Sequence, residues 1–176
     1  MSRRSARRLA FQILYQEPFH KDFDYNFALE NYAGDETDED DITAVDREYL
    51  HELLFGILAV LPDIDRQIEL ISSGWRMDRL NSVDLALIRL AMYELLYTAT
   101  PPQAAINEAV ELAKKFSEDK SSVFVNGILG AALKGMKSRE EPSTDDTDIA
   151  GYSQLSIQNR SVGRRNEQRI RRRNKA

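Results

Sequence analysis

Residues 83–97 read VDLALIRLAMYELLY. Leu85, Ala86, Leu87, Ile88, Leu90, Ala91, Met92, Leu95 and Leu96 leave few polar faces on a helix, so this stretch reads as a central helix covered on nearly all sides. Ser82 is placed to cap a helix from Val83 to about Thr98, and Pro101 and Pro102 stop it and start the next. Asp84, Arg89 and Glu94 interrupt the apolar run. Arg89 and Glu94 read as ion-pairing groups within the fold, while Asp84 is open between a capping role and a partner contact.

Outward from this helix the apolar residues keep a helical rhythm. Downstream, Ala105, Ile106, Ala109, Val110, Leu112, Ala113 and Phe116 form one stripe. Phe124, Val125, Ile128, Leu129, Ala132 and Leu133 form another, predicting a last helix from about Ser121 to Lys137. Upstream, a helix is expected from Asp63 through Ile64, Ile68 and Ile71 to Ser72, closed by Gly74, before Trp75 opens the next packing unit. Before it, Leu50, Leu53, Leu54, Ile57, Leu58 and Leu61 predict a helix that starts near Thr43, with Asp46 three residues on, and ends at Pro62. Residues 34–41 are too acidic to pack and read as a solvated loop, and Tyr25 to Tyr32 reads as a short helix. The opening helix spans Ser2 to Gln16, with Ala6, Leu9, Ala10, Ile13 and Leu14 on one face. No strand pattern competes. The expected fold is all-α, a bundle of about seven helices over residues 1–138, followed by a disordered tail, 139–176, that is acidic and then basic.

With 42% apolar and 30% charged residues the chain can bury a core under a charged surface. It has no cysteine, which rules out disulfides, thiolate metal sites and a cysteine nucleophile. No apolar run suggests a membrane span and no secretory signal opens the chain, so a cytoplasmic protein is expected. The net charge of −5 hides a segregation of sign. Arg3, Arg4, Arg7 and Arg8 precede the first acid, and Arg160 to Lys175 is a second basic cluster. A polyanion responds to such local patches, because distant charge is screened.

At about 100° per residue, Arg4, Arg8, Phe11 and Tyr15 fall close to one line of the first helix, with Arg7 alongside. Arginine forks suit phosphates and exposed rings suit unpaired bases, which favours single-stranded RNA over duplex DNA. Two readings stay open: that surface, or a core Phe11 beside merely solvating arginines. The basic tail could add phosphate affinity or touch the chain's own acids. Residues 35–41 lack the calcium-loop spacing, His20 and His51 have no ligand or triad partner nearby, and Gly127 to Lys134 lacks phosphate-loop spacing. Neither a metal, a cofactor nor an enzymatic activity is expected; small residues near Gly127 are read as allowing close helix packing.

VDLALIRLAMYELLY (83–97), AAINEAVELAKKFS (104–117) and FVNGIL (124–129) together resemble the NusB family of antitermination factors. The arginine-rich start ending in Gln12-Ile13-Leu14-Tyr15 and LLFGIL (53–58) follow the same order, so the resemblance spans about residues 3 to 137. It implies two packed helical subdomains, binding of boxA-type single-stranded RNA, partnership with the small-subunit ribosomal protein NusE, and a place in the transcription elongation complex. By position it implies an RNA surface of Arg3, Arg4, Arg7, Arg8 and Tyr15 with Phe116, Lys120, Ser121 and Phe124, and a NusE-facing surface that includes Asp78 and Asp84. Some relatives carry an acid where this chain has Lys120, and the acidic 34–41 loop and the 138–176 extension depart from the family pattern. A homodimer of the free chain is compatible with an apolar partner surface. The rival reading is a protein-interaction module with weak RNA binding of its own. A methyltransferase is excluded by the missing cofactor loop, strand–helix alternation and catalytic cysteine.

Overall fold

Every regular element among residues 2–20, 22–32, 46–72 and 80–140, which the computed structural model describes, is helical. Helix α1 (Arg3–Gln16) runs into a short 3-10 helix (Glu17–Phe19), followed by α2 (Tyr25–Tyr32), α3 (Arg47–Ile71), α4 (Ser82–Tyr97), α5 (Pro102–Phe116) and α6 (Ser121–Glu140). The chain divides into two compact units, Met1–Gly135 and Met136–Ala176. The 34–41 loop, Thr43, Gly74, Trp75, Asp78 and the tail from residue 141 onward lie outside the described residues.

Short polar side chains set the helix starts. The Ser2 hydroxyl accepts from the Ser5 amide at 3.2 Å, Asp46 from the Tyr49 amide at 3.1 Å, and Asn81 from the Val83 amide at 3.0 Å. Each satisfies a donor that has no partner inside its own helix. The caps correct two expected starts: Asp46 begins α3, and Asn81 rather than Ser82 caps α4.

The expected seven helices become six α-helices among the described residues, because the two anticipated on either side of Pro62 are one. An interior proline costs a helix about 3 kcal/mol through its missing donor and its ring. Pro62, however, lies on the exposed side of α3. The stripe Leu50, Leu53, Leu54, Ile57, Ile64, Ile68 runs past it in phase, each side chain no more than 1% exposed. Ile64 and Ile68 alone contribute about 1.5–3 kcal/mol each by burial, enough to offset the proline.

Helix α4 is the hub, touching α1, α3 and α5. It buries Leu87, Ile88, Leu90, Ala91, Met92 and Leu95, as expected of its all-round apolarity. Helices α1 and α3 pack against each other and against α4, while α5 packs on α4. In α6, Val125, Leu129 and Ala132 face the core.

Candidate nucleic-acid interface

Helix α1 presents its arginines in different ways. Arg4 is largely exposed, with Nε donating to Glu108 Oε2 of α5 at 3.2 Å. The Arg3 guanidinium lies over the Tyr49 ring, 4.8 Å from its centroid, a cation–π contact. Arg7 is buried: its Nε donates to both Glu94 oxygens at 3.0 and 2.9 Å, and its terminal nitrogen donates to Glu94 Oε1 at 2.9 Å and to the Tyr49 hydroxyl at 3.1 Å. The Tyr49 and Thr100 hydroxyls also donate to Glu94. Burial by itself pushes the Arg7 guanidinium down, but hydrogen bonding to Glu94 and its negative charge carry it above the ordinary arginine value. Burial and the Glu94 carboxylate together push the Tyr49 phenol up to about 12. Arg7, expected alongside an exposed basic face, is therefore a buried tie between α1 and α4. A guanidinium taken out of water needs an opposing carboxylate and further acceptors for its donors; Glu94 supplies the charge and the Tyr49 hydroxyl a further acceptor.

Arg8 and Phe11 are also buried, so the line Arg4, Arg8, Phe11, Tyr15 is not a single exposed stripe. Side chains of α5 reach this face: Glu108 meets Arg4, and Phe116 meets Phe11 with centroids 5.4 Å apart. Phe11 is core, yet it underpins a run of rings. Tyr15 stands 6.3 Å from Phe11, and Phe19 stands 5.3 Å from Tyr15. On the other side, Lys115 Nζ sits 5.5 Å from the Phe116 centroid. Tyr15 and Phe116 are half-buried, and Phe19 is 60% exposed.

The turn between α5 and α6 is held from beneath. The Ser117 hydroxyl donates to Asp84 Oδ1 at 2.6 Å and that of Ser121 to Asp84 Oδ2 at 2.9 Å, while the two hydroxyls are 2.8 Å apart. Asp84 is 6% exposed and Ser121 is equally buried. The resemblance implied an RNA-facing Ser121 and a NusE-facing Asp84, while the residue pattern left Asp84 open between a capping role and a partner contact. The structure turns them inward, because the paired hydroxyls satisfy a carboxylate that would be costly to bury alone. Lys120 is exposed on the same turn, and Phe124 is half-buried one turn into α6.

The structure thus gathers Arg4, Tyr15 and Phe116 along the contact of α1 with α5, and places Lys120 and Phe124 at the turn that follows. It adds Lys115, Glu108 and Phe19, which sequence reasoning did not single out. The signal for Phe19 was the spacing of residues 11, 15 and 19: the opening helix was expected to end at Gln16, whereas a 3-10 turn with Pro18 near its start prolongs the winding. Among the described residues no group of three His, Asp or Glu side chains could hold a metal, and no helix is long and apolar enough to cross a membrane.

The NusB family model matches residues 4–134. This chain belongs to the NusB family. Transcription antitermination protein NusB of Acetivibrio thermocellus is 39% identical over 135 residues, 76% of this chain and 90% of that protein. Its counterpart from Nitratidesulfovibrio vulgaris strain DP4 is 43% identical over 138 residues, 77% and 90% of the two chains. Among solved structures, NusB of T. maritima matches with a TM-score of 0.67 at 34% identity, over 80% of this chain and 99% of that one. A NusB chain from a crystal structure of antitermination factors NusB and NusE in complex with dsRNA matches with a TM-score of 0.64 at 28% identity, over 76% and 96%. The NusB match ends at 134, short of the tail, and takes in every ring and cation of the α1–α5 surface except Arg3.

Proposed function

We propose that this chain is a non-enzymatic, cytoplasmic transcription antitermination factor that binds boxA-type single-stranded RNA together with NusE, and supports ribosomal RNA transcription and maturation within the elongation complex. The observation that carries the reading is the occurrence of half-buried rings and cations along α1 and α5: Tyr15 and Phe116 on either side of Phe11, Lys115 over Phe116, Arg4 further back on α1 against Glu108, and Lys120 on the turn that follows α5. Rings give unpaired bases a surface to stack on, and the cations neutralise the phosphates that join them. The likeness to a NusB chain complexed with NusE supports the partner assignment. The RNA in that complex is double-stranded, so strandedness is the point to be tested. Asp84 would serve a partner-facing surface indirectly, through the turn it holds; Asp78 is retained as a partner-facing residue.

One observation favours the interaction-module reading: Arg7 is committed to Glu94 and Arg4 to Glu108, which lowers the positive charge offered to phosphates. Fluorescence anisotropy of a labelled boxA-type oligoribonucleotide, single-stranded or annealed to its complement, over a salt series and with or without NusE, separates the two. The RNA-binding reading expects tighter binding of the single strand, a gain with NusE, and a loss with salt that is shallower in Arg4→Ala/Lys120→Ala. Retained NusE binding with no salt-sensitive RNA binding would establish the interaction module instead.

A further inference from the structure

We propose that Phe19 is a base-stacking residue, which extends the RNA surface beyond the end of α1 and gives a single strand a second exposed ring next to Tyr15. The inference rests on the RNA-binding function proposed above and names a residue that the family resemblance did not include and that lies beyond the end of α1.

Three observations carry it. First, Phe19 is not part of the core: it is 60% exposed, whereas Phe11, on the same ring series, is 3% exposed. Second, Phe19 is held in place. Its ring is 5.3 Å from that of Tyr15 at an interplanar angle of 57°, and Tyr15 is in turn set against Phe11, which packs on Phe116. An exposed ring buttressed by another ring loses little conformational freedom when a base settles on it, so the ordering cost falls on the RNA rather than on the protein. Third, the backbone is shaped to keep it there. Pro18 and the 3-10 turn Glu17–Phe19 continue the winding of α1 for one more turn, and the turn is closed by the His20 amide donating to the Glu17 carbonyl at 3.2 Å. Without that turn the i, i+4 relation from Tyr15 to Phe19 would be lost. The result is a series with a cation at one end, Lys115 over Phe116, and an open aromatic face at the other.

Phe27 provides an internal comparison. It is 64% exposed on α2, an aromatic of the same kind and accessibility, and no ring contact joins it to the Tyr15 series among the described pairs. Exposure alone would make the two equivalent, whereas the proposal makes only Phe19 matter for RNA.

The test uses the full chain with NusE and the labelled boxA-type oligoribonucleotide, single-stranded and annealed. Phe19→Ala is expected to weaken single-strand binding about tenfold. The salt slope should be unchanged, because no cation is removed. Phe19→Tyr should restore wild-type affinity, Phe19→Leu should not, and Phe27→Ala should bind like wild type. Circular dichroism melts of each variant matching the wild type within error would show that an exposed position has been changed without loss of fold. Wild-type affinity in Phe19→Ala, full rescue by Phe19→Leu, or an equal loss in Phe27→Ala would overturn the proposal while leaving RNA binding itself intact. Absence of RNA binding by the wild type with NusE would overturn the functional reading and this inference together.

Discussion

Removing the Arg7 guanidinium would leave Glu94, 1% exposed, as a buried carboxylate with only hydroxyl donors. Breaking such a pair by deleting one partner costs about 3–5 kcal/mol. Arg7→Ala is thus expected to lower the urea midpoint sharply, and Arg7→Lys to recover only part of the loss, because an ammonium cannot reproduce the contacts of a planar fork to both carboxylate oxygens. A wild-type midpoint in Arg7→Ala would show that the tie is dispensable. Lys120 belongs to the opposite case, an exposed cation on the α5–α6 turn. Lys120→Asp is expected to leave the melt unchanged while weakening RNA binding and flattening its salt dependence, and an unchanged slope would remove Lys120 from the phosphate contacts. The sequence could not separate these two roles. Arg4, Arg7 and Arg8 look alike along α1, and what distinguishes Arg7 is a carboxylate 87 positions away. The same holds for Asp84, whose two serine donors lie on a turn more than thirty residues downstream. A local pattern was enough to find the arginines and rings, but their burial is a property of long-range contacts.

Glycines distinguish the helices from one another. In α3, a Cβ added at Gly56 would overlap the Tyr93 hydroxyl and ring, which pack directly on the α3 backbone. Tyr93 is stacked on Tyr97 with centroids 5.7 Å apart and is only 8% exposed, so it has little room to swing away. Gly56→Ala is expected to destabilise the fold by about 1–3 kcal/mol through overpacking. In α6, Gly130 is exposed and a Cβ there would meet nothing within 4 Å. Gly130→Ala is expected to stabilise by up to about 1 kcal/mol, by removing the backbone entropy that glycine loses in a helix. Melts of the two variants moving in the same direction would contradict this account. It also corrects the expectation that small residues near Gly127 serve close packing, since the space beside Gly127 is open as well. Helix positions were legible from the 3.6-residue rhythm because each helix buries one stripe. Pro62 was misjudged because a local rule ends helices at proline, whereas the in-phase stripe from Leu50 to Ile68 is a tertiary fact.

At the scale of the molecule, three phenols on three helices are coupled to folding. Burial first, with neighbouring carboxylates second, pushes Tyr25, Tyr49 and Tyr97 from 10.0 up to about 12. The folded state therefore holds these protons where the unfolded chain releases them. Their contribution to stability is complete below about pH 10 and is lost as the pH rises from about 10 to about 12. Urea or thermal midpoints followed by helical circular dichroism should fall through that window, in step with the appearance of tyrosinate absorbance. A midpoint that stayed flat until past pH 12 would mean that the phenols ionise equally in both states.

The notch at Gly56 has a mechanical consequence as well. With Tyr93 seated in it, α3 and α4 are keyed at a fixed register, and sliding one past the other by a turn would drive the ring against Glu52 or Val60 instead of empty space. Helix pairs that switch by such one-turn steps need equivalent seats on either side. This pair has one. Because α1 packs on both of these helices and α5 packs on α4, the surface that α1 and α5 carry is expected to meet a partner as one stiff reading head, whose fit is decided before contact rather than adjusted during it.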